Sequence, residues 1–303
     1  MPAKKNSRRK TVSWFRIKLI FFIIFLLHIS FFTVFLLRQL NSSGFPVENL
    51  GLKLAGVFAF IAIVILIYLA KLRNIPVVKN ITRVLRELFF ILYIGFVAYL
   101  LLGIFFNPPV TITQISNLFR GHSIQYKPVG LSSMSKNVKL AVMAAEDQLF
   151  PDHNGFDVKA IKKAIVYNES HPQKQRGAST ISQQTAKNIF LWQGGGFLRK
   201  GLEVFCTYSI ETLWSKKVIL ERYLNIAEMG AGIYGVQAAA RAYFGKDANE
   251  LTKQEAAQVV AGLPNPKKYT VTPISKYVQF RSSKILRQMN RLAGDEEIEK
   301  LIR

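Results

Sequence analysis

Cysteine is almost missing from this chain of 303 residues: Cys206 stands alone, so no intrachain disulfide can form and no thiolate cluster can hold a metal. The role left to it is that of a small apolar residue packed on a helix. Histidine is scarce too, and no His-Glu-x-x-His spacing occurs, which excludes the usual zinc hydrolase arrangement. No Walker or Rossmann spacing surrounds Gly194-Gly195-Gly196, so that run is not a nucleotide loop and what it supplies is mobility. Ser133 and Lys136 have the S-x-x-K spacing of penicillin-binding serine enzymes, but no Lys-Thr-Gly follows, and an acyl-transfer site is rejected. No internal repeat is present. The period-two alternation of strands is rare as well, with Tyr269-Thr270-Val271 the best short candidate.

Acidic residues are the other shortage. Asp and Glu number 18 against 41 Lys and Arg, a net charge of +23. Residues 107–303 alone carry 27 basic and 16 acidic side chains, an excess that draws an anionic surface. Nucleic acid and phospholipid headgroups both qualify by charge. Membrane-spanning segments in the same chain favour membrane lipids and argue against nucleic acid.

Those segments come from the first 106 residues, where Leu, Ile, Phe and Val dominate. Three apolar runs, about 19–37, 54–70 and 88–106, are each near the roughly 20 residues that cross a bilayer. The first stays bulky through Phe31-Phe32-Thr33-Val34-Phe35-Leu36-Leu37, unlike the small-residue end of a cleaved signal peptide, and is read as a retained helix. His28 lies within it. Basic residues collect in the tail up to Lys18 and again at Lys71, Arg73, Lys79, Arg83 and Arg86, while only Arg38 and Lys53 flank the first loop. The tail and the second loop are therefore expected in the cytoplasm. Three crossings then make a multi-pass membrane protein, with a domain from Asn107-Pro108-Pro109 to residue 303 on the outer face.

That outer domain reads as all-α with at most one small hairpin. Ser135 caps a helix through Met143, Asp157 one through Tyr167, Ser179 one over Thr180–Phe190, and Thr252 with Glu255 makes a capping box. Gly245 and Gly294 follow periodic segments as stop signals.

Chemistry gathers between Glu146 and Glu203. Val138, Leu140, Ala141, Met143 and Ala144 describe an apolar helix face that ends in Glu146-Asp147. A carboxylate just past a buried face is partly desolvated, which raises its pKa toward the range of a general base. Asp147 and His153 fit a role in orienting Glu146 or the following loop; a plain loop hydrogen bond is the bland reading of His153. A helix start at Ser179 leaves backbone N–H groups free for an anion, with Thr180, Gln183 and Gln184 as further donors and Lys187 one turn on. Arg199 and Glu203 are spaced i, i+4 with Lys200 beside them. They are read either as a surface ion pair worth a few tenths of a kcal/mol or as cations steadying a pyrophosphate, with Glu203 positioning them or holding a divalent metal.

Taken in order, these blocks resemble the family 51 peptidoglycan glycosyltransferases, most closely their monofunctional biosynthetic members. Glu146, Asp147, Phe150, His153 and Gly155 match E-D-x-x-F-x-x-H-x-G; Gly177 to Gln184 with Lys187 match G-x-S-T-[IL]-[ST]-Q-Q and its lysine; Arg199, Lys200 and Glu203 match R-K-x-x-E; Ile219, Leu220, Tyr223, Leu224 and Asn225 match I-L-x-x-Y-[LM]-N. The likeness covers about residues 88–294. Arg281 matches the last motif, in which Ser282 stands where many members have a second Arg.

The resemblance implies a lysozyme-like helical fold with a membrane-embedded edge, acting on lipid II and a growing lipid-linked glycan chain. It implies that Glu146 is the general base in forming a β-1,4 bond with inversion and release of undecaprenyl diphosphate. Glu203, Lys187, Arg199 and Lys200 then handle the pyrophosphates, with Ser179, Thr180, Gln184 and Asn225 as secondary site residues. Mg2+ or Mn2+ is the expected cofactor, with Glu203 as its candidate ligand, and no organic cofactor is expected. Crosslinking is left to separate transpeptidases, which join division or elongation proteins as candidate partners. Two alternatives stand beside this reading: a lytic enzyme of similar architecture that cuts glycan, and a catalytically idle membrane scaffold.

Overall fold

Two compact units, residues 1–99 and 100–303, make up the computed structural model, dividing a little ahead of the Asn107-Pro108-Pro109 boundary expected from composition. The structure describes residues 4–42, 60, 63, 66, 67, 71, 72, 74–121, 123–173 and 175–303, and in the first helix the side chains from Trp14 to Gln39.

In the first unit α1 (Lys4–Ser42) contains the first apolar run without a break, since neither Gly nor Pro interrupts it. The third run proves to be the later part of α2 (Pro76–Leu102), not a helix over 88–106. Pro76 starts that helix because its missing N–H falls where no intrahelical partner exists, and the turn at Gly103 ends it. Trp14–Gln39 and Pro76–Leu102 are each long and apolar enough to cross a membrane. The second apolar run, 54–70, lies outside the described residues except for positions 60, 63, 66 and 67. α1 and α2 meet through an aromatic cluster in which Phe25 packs edge-on against Phe89 and Tyr93, centroids 4.9 and 5.1 Å apart. His28 adds a contact of 3.2 Å from Nδ1 to the Tyr93 hydroxyl.

The second unit is built on α4 (Lys136–Glu146). Ser135 accepts the Val138 N–H and so caps it, and every residue from Val138 to Ala144 is buried. Each large side chain so buried contributes about 1.5–3 kcal/mol, which fixes this helix at the centre of the core. Against it pack α10 (Lys253–Ala261), α11 (Lys276–Leu292) and α12 (Glu296–Ile302). A second group forms around α6 (Ile181–Phe190), which packs on α3 (Ile112–Phe119), α7 (Phe197–Leu213) and α8 (Lys216–Ile226). The remaining helices are α5 (Val158–Ser170) and α9 (Val236–Phe244). Caps read from sequence recur at Ser135, Asp157, Thr252 with Glu255, and the left-handed Gly245.

The all-α expectation holds, with one small addition. β2 (Glu228–Gly230) and β3 (Ile233–Tyr234) form an antiparallel hairpin, and β1 (Gln125–Tyr126) joins β3 in parallel, in the order β1-β3-β2. Tyr269-Thr270-Val271 forms no strand. Tyr269 ends a turn by donating its N–H to the Asn265 carbonyl at 2.8 Å, and its ring stacks on Tyr277 with centroids 3.7 Å apart.

α8 ties this unit together. Arg222 is buried and donates from Nε to the Gly103 carbonyl at 3.0 Å and from Nη1 to Asn107 at 2.8 Å. Gly235, with φ 82°, lets the chain pass the same helix: a Cβ there would lie 2.3 Å from the Asn225 carbonyl oxygen. Gly235→Ala is expected to destabilise the domain by about 3 kcal/mol through strain and overlap. A thermal melt of the full chain in detergent should show the midpoint lowered by roughly 10 °C.

Candidate active site

Glu146 is the last residue of α4, and it projects to where α6 and α11 approach. Gln184 of α6 donates Nε2 to its Oε2 at 3.0 Å, and Arg281 of α11 places Nη2 3.2 Å from its Oε1. Gln184 is itself aimed by Tyr223, a fully buried residue whose hydroxyl donates to the Gln184 Oε1 at 3.2 Å. Burial, reinforced by the Glu146 and Asp147 charges, raises the Tyr223 pKa well above the usual value, so it stays a neutral donor.

Burial pushes the Glu146 carboxyl above the ordinary carboxylate range; the Gln184 hydrogen bond and the Arg281 charge pull it back, and Asp147 pushes it up. Removing Arg281 therefore raises the pKa further. With Glu146 acting as a base, Arg281→Gln is expected to move the acid limb of the pH–rate profile to higher pH and to recover part of its lost rate on alkalinisation. Arg281→Lys, which keeps the charge, is expected to shift it less; an unmoved limb in the Gln variant would remove Arg281 from this role.

The loop after Glu146 is held by Asp147 and His153. Asp147 is buried, lies 2.9 Å from His153 Nε2 and accepts the Ile181 N–H at 3.0 Å, so a carboxylate meets the positive end of α6. His153 Nδ1 accepts the Gly155 N–H at 3.2 Å. Gly155 has φ 86°, and a Cβ there would stand 2.8 Å from Thr207, which explains a glycine at that motif position. Lys216 fastens the loop from beneath, donating to the His153 carbonyl at 2.5 Å and to Glu211 at 2.8 Å, with its ammonium 4.6 Å from the centre of the Phe150 ring. Asp147 and His153 thus orient the loop and α6, and make no hydrogen bond to Glu146.

Thr180, not Ser179, caps α6. Its hydroxyl accepts the Gln183 N–H while Gln183 accepts the Thr180 N–H, a reciprocal box that a cap one residue earlier does not allow. Thr180 also donates to the Gly155 carbonyl at 2.7 Å. Ser179 is left exposed on the cleft wall.

The cations stand beyond α6. Arg199 donates Nη1 to Glu203 at 2.6 Å, and Lys200 pairs with the other Glu203 oxygen. Glu203 is 3% exposed, which rules out the loose surface pair read as one option. Arg199 Nε is buried without a hydrogen-bond partner, a donor left for an anion. Burial lowers the Lys187 pKa; Glu203 raises it, Arg199 and Lys200 lower it, and Glu146 raises it, so this one ammonium feels both ends of the site. Cys206 is buried beside Glu203, and burial followed by that charge pushes its thiol up to about 12, which leaves it unreactive.

A cavity of about 730 Å³ joins Glu146, Ser179, Thr180, Gln184, Lys187 and Arg281. A second, of about 280 Å³, shares Gln184 and Lys187 with it and is lined by Asn117, Arg120, Glu228 and Lys267 as well. Asn225, expected at the site, is elsewhere: it is fully buried and bonds Val129 through both its N–H and its carbonyl, because a buried amide needs every donor and acceptor met. Both Glu203 oxygens are engaged by cations, and no group of three His, Cys, Asp or Glu side chains gathers among the described residues. That donor set does not fit a divalent ion held by the protein. Tyr223 and Arg281, matched to the fourth and last motifs but given no site role from sequence, prove to meet Glu146, the first through Gln184 and the second directly.

The transglycosylase family model matches residues 112–290. The biosynthetic peptidoglycan transglycosylase of Shigella boydii is 56% identical over 167 residues, covering 55% of this chain and 69% of that protein. Its namesake from Escherichia coli O157:H7 has the same identity and coverage. The biosynthetic peptidoglycan transglycosylase of Haemophilus influenzae is 48% identical over 220 residues, 72% of this chain and 89% of that protein.

Proposed function

Because this chain belongs to the transglycosylase family and is a peptidoglycan glycosyltransferase, we infer that it polymerises lipid II into β-1,4 glycan strands and releases undecaprenyl diphosphate. One observation carries this reading: a desolvated carboxylate, Glu146, and a desolvated ammonium, Lys187, line one cavity.

The two groups fit the two halves of an inverting transfer. Glu146 takes the proton of the acceptor 4-hydroxyl as that oxygen attacks the anomeric carbon of the growing chain. The bond from the anomeric carbon to the diphosphate breaks, and its electron pair leaves with the diphosphate. Lys187, with Arg199 and Lys200 behind it, meets the charge that accumulates there. Glu203 acts as the positioning group for the last two. Diphosphate leaves readily once its charge is met, so cations stand where a hydrolase needs a strong acid. Two cavities sharing Gln184 and Lys187 suit a reaction with two lipid-borne substrates. Ser179, Thr180 and Gln184 line the larger one and are assigned to substrate binding.

Both substrates are carried in the bilayer, which accords with two helices long and apolar enough to cross it. A multi-pass topology with residues 107–303 on the outer face follows from the basic residues of the tail and of 71–86. Separate transpeptidases acting on the product are the partners this reading implies. Any Mg2+ or Mn2+ would be bound through the substrate phosphates, since the Glu203 oxygens are taken. Incubation of the full chain with lipid II, and separately with finished glycan, tests the assignment: the first should yield polymer, and the second should remain uncut. Cleavage of finished glycan without polymer formation would establish the lytic alternative.

A further inference from the structure

The activity leaves the first unit unexplained, and that unit holds a cavity of about 390 Å³ between α1 and α2, lined by Trp14, Phe15, Lys18, Leu19, Phe22, Arg86 and Phe90. Its composition changes along its length. Lys18 and Arg86 are at one end, and Leu19, Phe22 and Phe90 continue from them into the apolar run that begins at Leu19. Trp14 stands beside the charged end, 5.2 Å from ring centroid to the Lys18 ammonium, as aromatic residues do at the boundary between headgroups and hydrocarbon.

The two cations are not equivalent. Lys18 is committed to an ion pair with Glu87, which links α1 to α2. Arg86 is exposed and makes only a loose contact of 3.6 Å with Glu87 among the described residues. One acid balances one of two bases, so the charged end keeps an excess positive charge. Across residues 4–18 and 71–87 the chain has twelve Lys and Arg and, as acid, Glu87 alone. A groove with an exposed guanidinium, held only at 3.6 Å by Glu87, at its charged end and an apolar floor below it complements one molecule type in particular. We propose that this groove binds an anionic phospholipid of the cytoplasmic leaflet, its phosphate on Arg86 and its acyl chains along Leu19, Phe22 and Phe90. The proposal rests on α1 and α2 spanning the membrane and is independent of the chemistry at Glu146.

Lys18 and Glu87 join the two helices beside the groove, and Arg86 supplies affinity. One basic residue near an anionic surface changes binding about fivefold. The test uses the full chain purified in detergent, titrated with phosphatidylglycerol or with phosphatidylethanolamine and followed by native mass spectrometry and thermal shift. Phosphatidylglycerol is expected to bind and raise the melting midpoint more than phosphatidylethanolamine, and Arg86→Gln to weaken its binding about fivefold. Arg83→Gln removes the same charge one turn away, at a residue that does not line the groove, and should leave binding unchanged. Equal binding of the two lipids, or equal effects of the two variants, overturns the proposal, the latter by reducing it to general surface charge. Undecaprenyl phosphate displacing the phospholipid would overturn it too, by assigning the groove to the substrate carrier. Lipid II polymerisation by Arg86→Gln in detergent should match the unsubstituted chain, so a failed polymerisation assay and a failed lipid titration count against different conclusions.

Discussion

Glu146→Gln is expected to slow glycan polymerisation from lipid II about a thousandfold, within the range general base catalysis supplies. Glutamine retains the size of the side chain and an oxygen for Gln184 to bond, yet has no basic electron pair for the acceptor proton. Stability should move the other way or not at all. Burial raises the Glu146 pKa in the folded chain, so the fold holds that proton more tightly than the unfolded chain does. Stability is therefore lost as pH rises from the ordinary carboxylate value through the raised one, and the neutral amide avoids that loss. Above this window Glu146→Gln should melt no lower than the parent. A variant that folds normally and still polymerises at the parental rate would show that the base is another group.

Lys187→Met is expected to lower kcat/KM for lipid II by a factor of about 10² to 10³, the scale of removing one preorganised charge from a developing anion. Methionine keeps the apolar stem and removes the ammonium. Burial lowers the Lys187 pKa, and the neighbouring Arg199 and Lys200 lower it further against the pull of Glu203 and Glu146. The parent should then lose activity on the alkaline side below the usual lysine range as the ammonium deprotonates. For a base with a depressed folded pKa, the fold gains stability as pH rises from that value to the ordinary one. At neutral pH the methionine variant escapes the cost of a buried charge, and its melting midpoint is expected to be maintained. Kinetics and melting together separate a lost catalytic charge from a damaged fold, and an unchanged kcat/KM would remove Lys187 from the diphosphate site.

Features decided by neighbouring residues are legible in the sequence, and those decided by distant contacts are not. Helix caps at Ser135, Asp157 and Thr252 were legible because a cap is decided within four residues. At α6 the same local rule points to Ser179, and the cap is Thr180. The choice of Thr180 over Ser179 was settled by contacts from far away in the chain: Asp147 takes the Ile181 N–H and Gly155 accepts the Thr180 hydroxyl. Asn225 shows the opposite limit. Its motif pattern suggests a polar group for substrate, whereas its amide is consumed by Val129 and Asn107, 96 and 118 positions away. Arg281 reaches Glu146 across 135 positions, a pairing no local periodicity reveals.

The order of charged and apolar residues by itself determined the long apolar helices, the helical character of the domain after them, and the carboxylates and cations of its motifs. It did so because spacing along one helix and the length of an apolar run are properties of the chain alone. Only the tertiary structure decided that Glu146, Gln184, Lys187 and Arg281 share one cavity, that Glu203 is sealed between Arg199 and Lys200, and that Asn225 supports the frame. Those outcomes depend on which helices pack together, and burial by that packing sets how strongly each charge is felt.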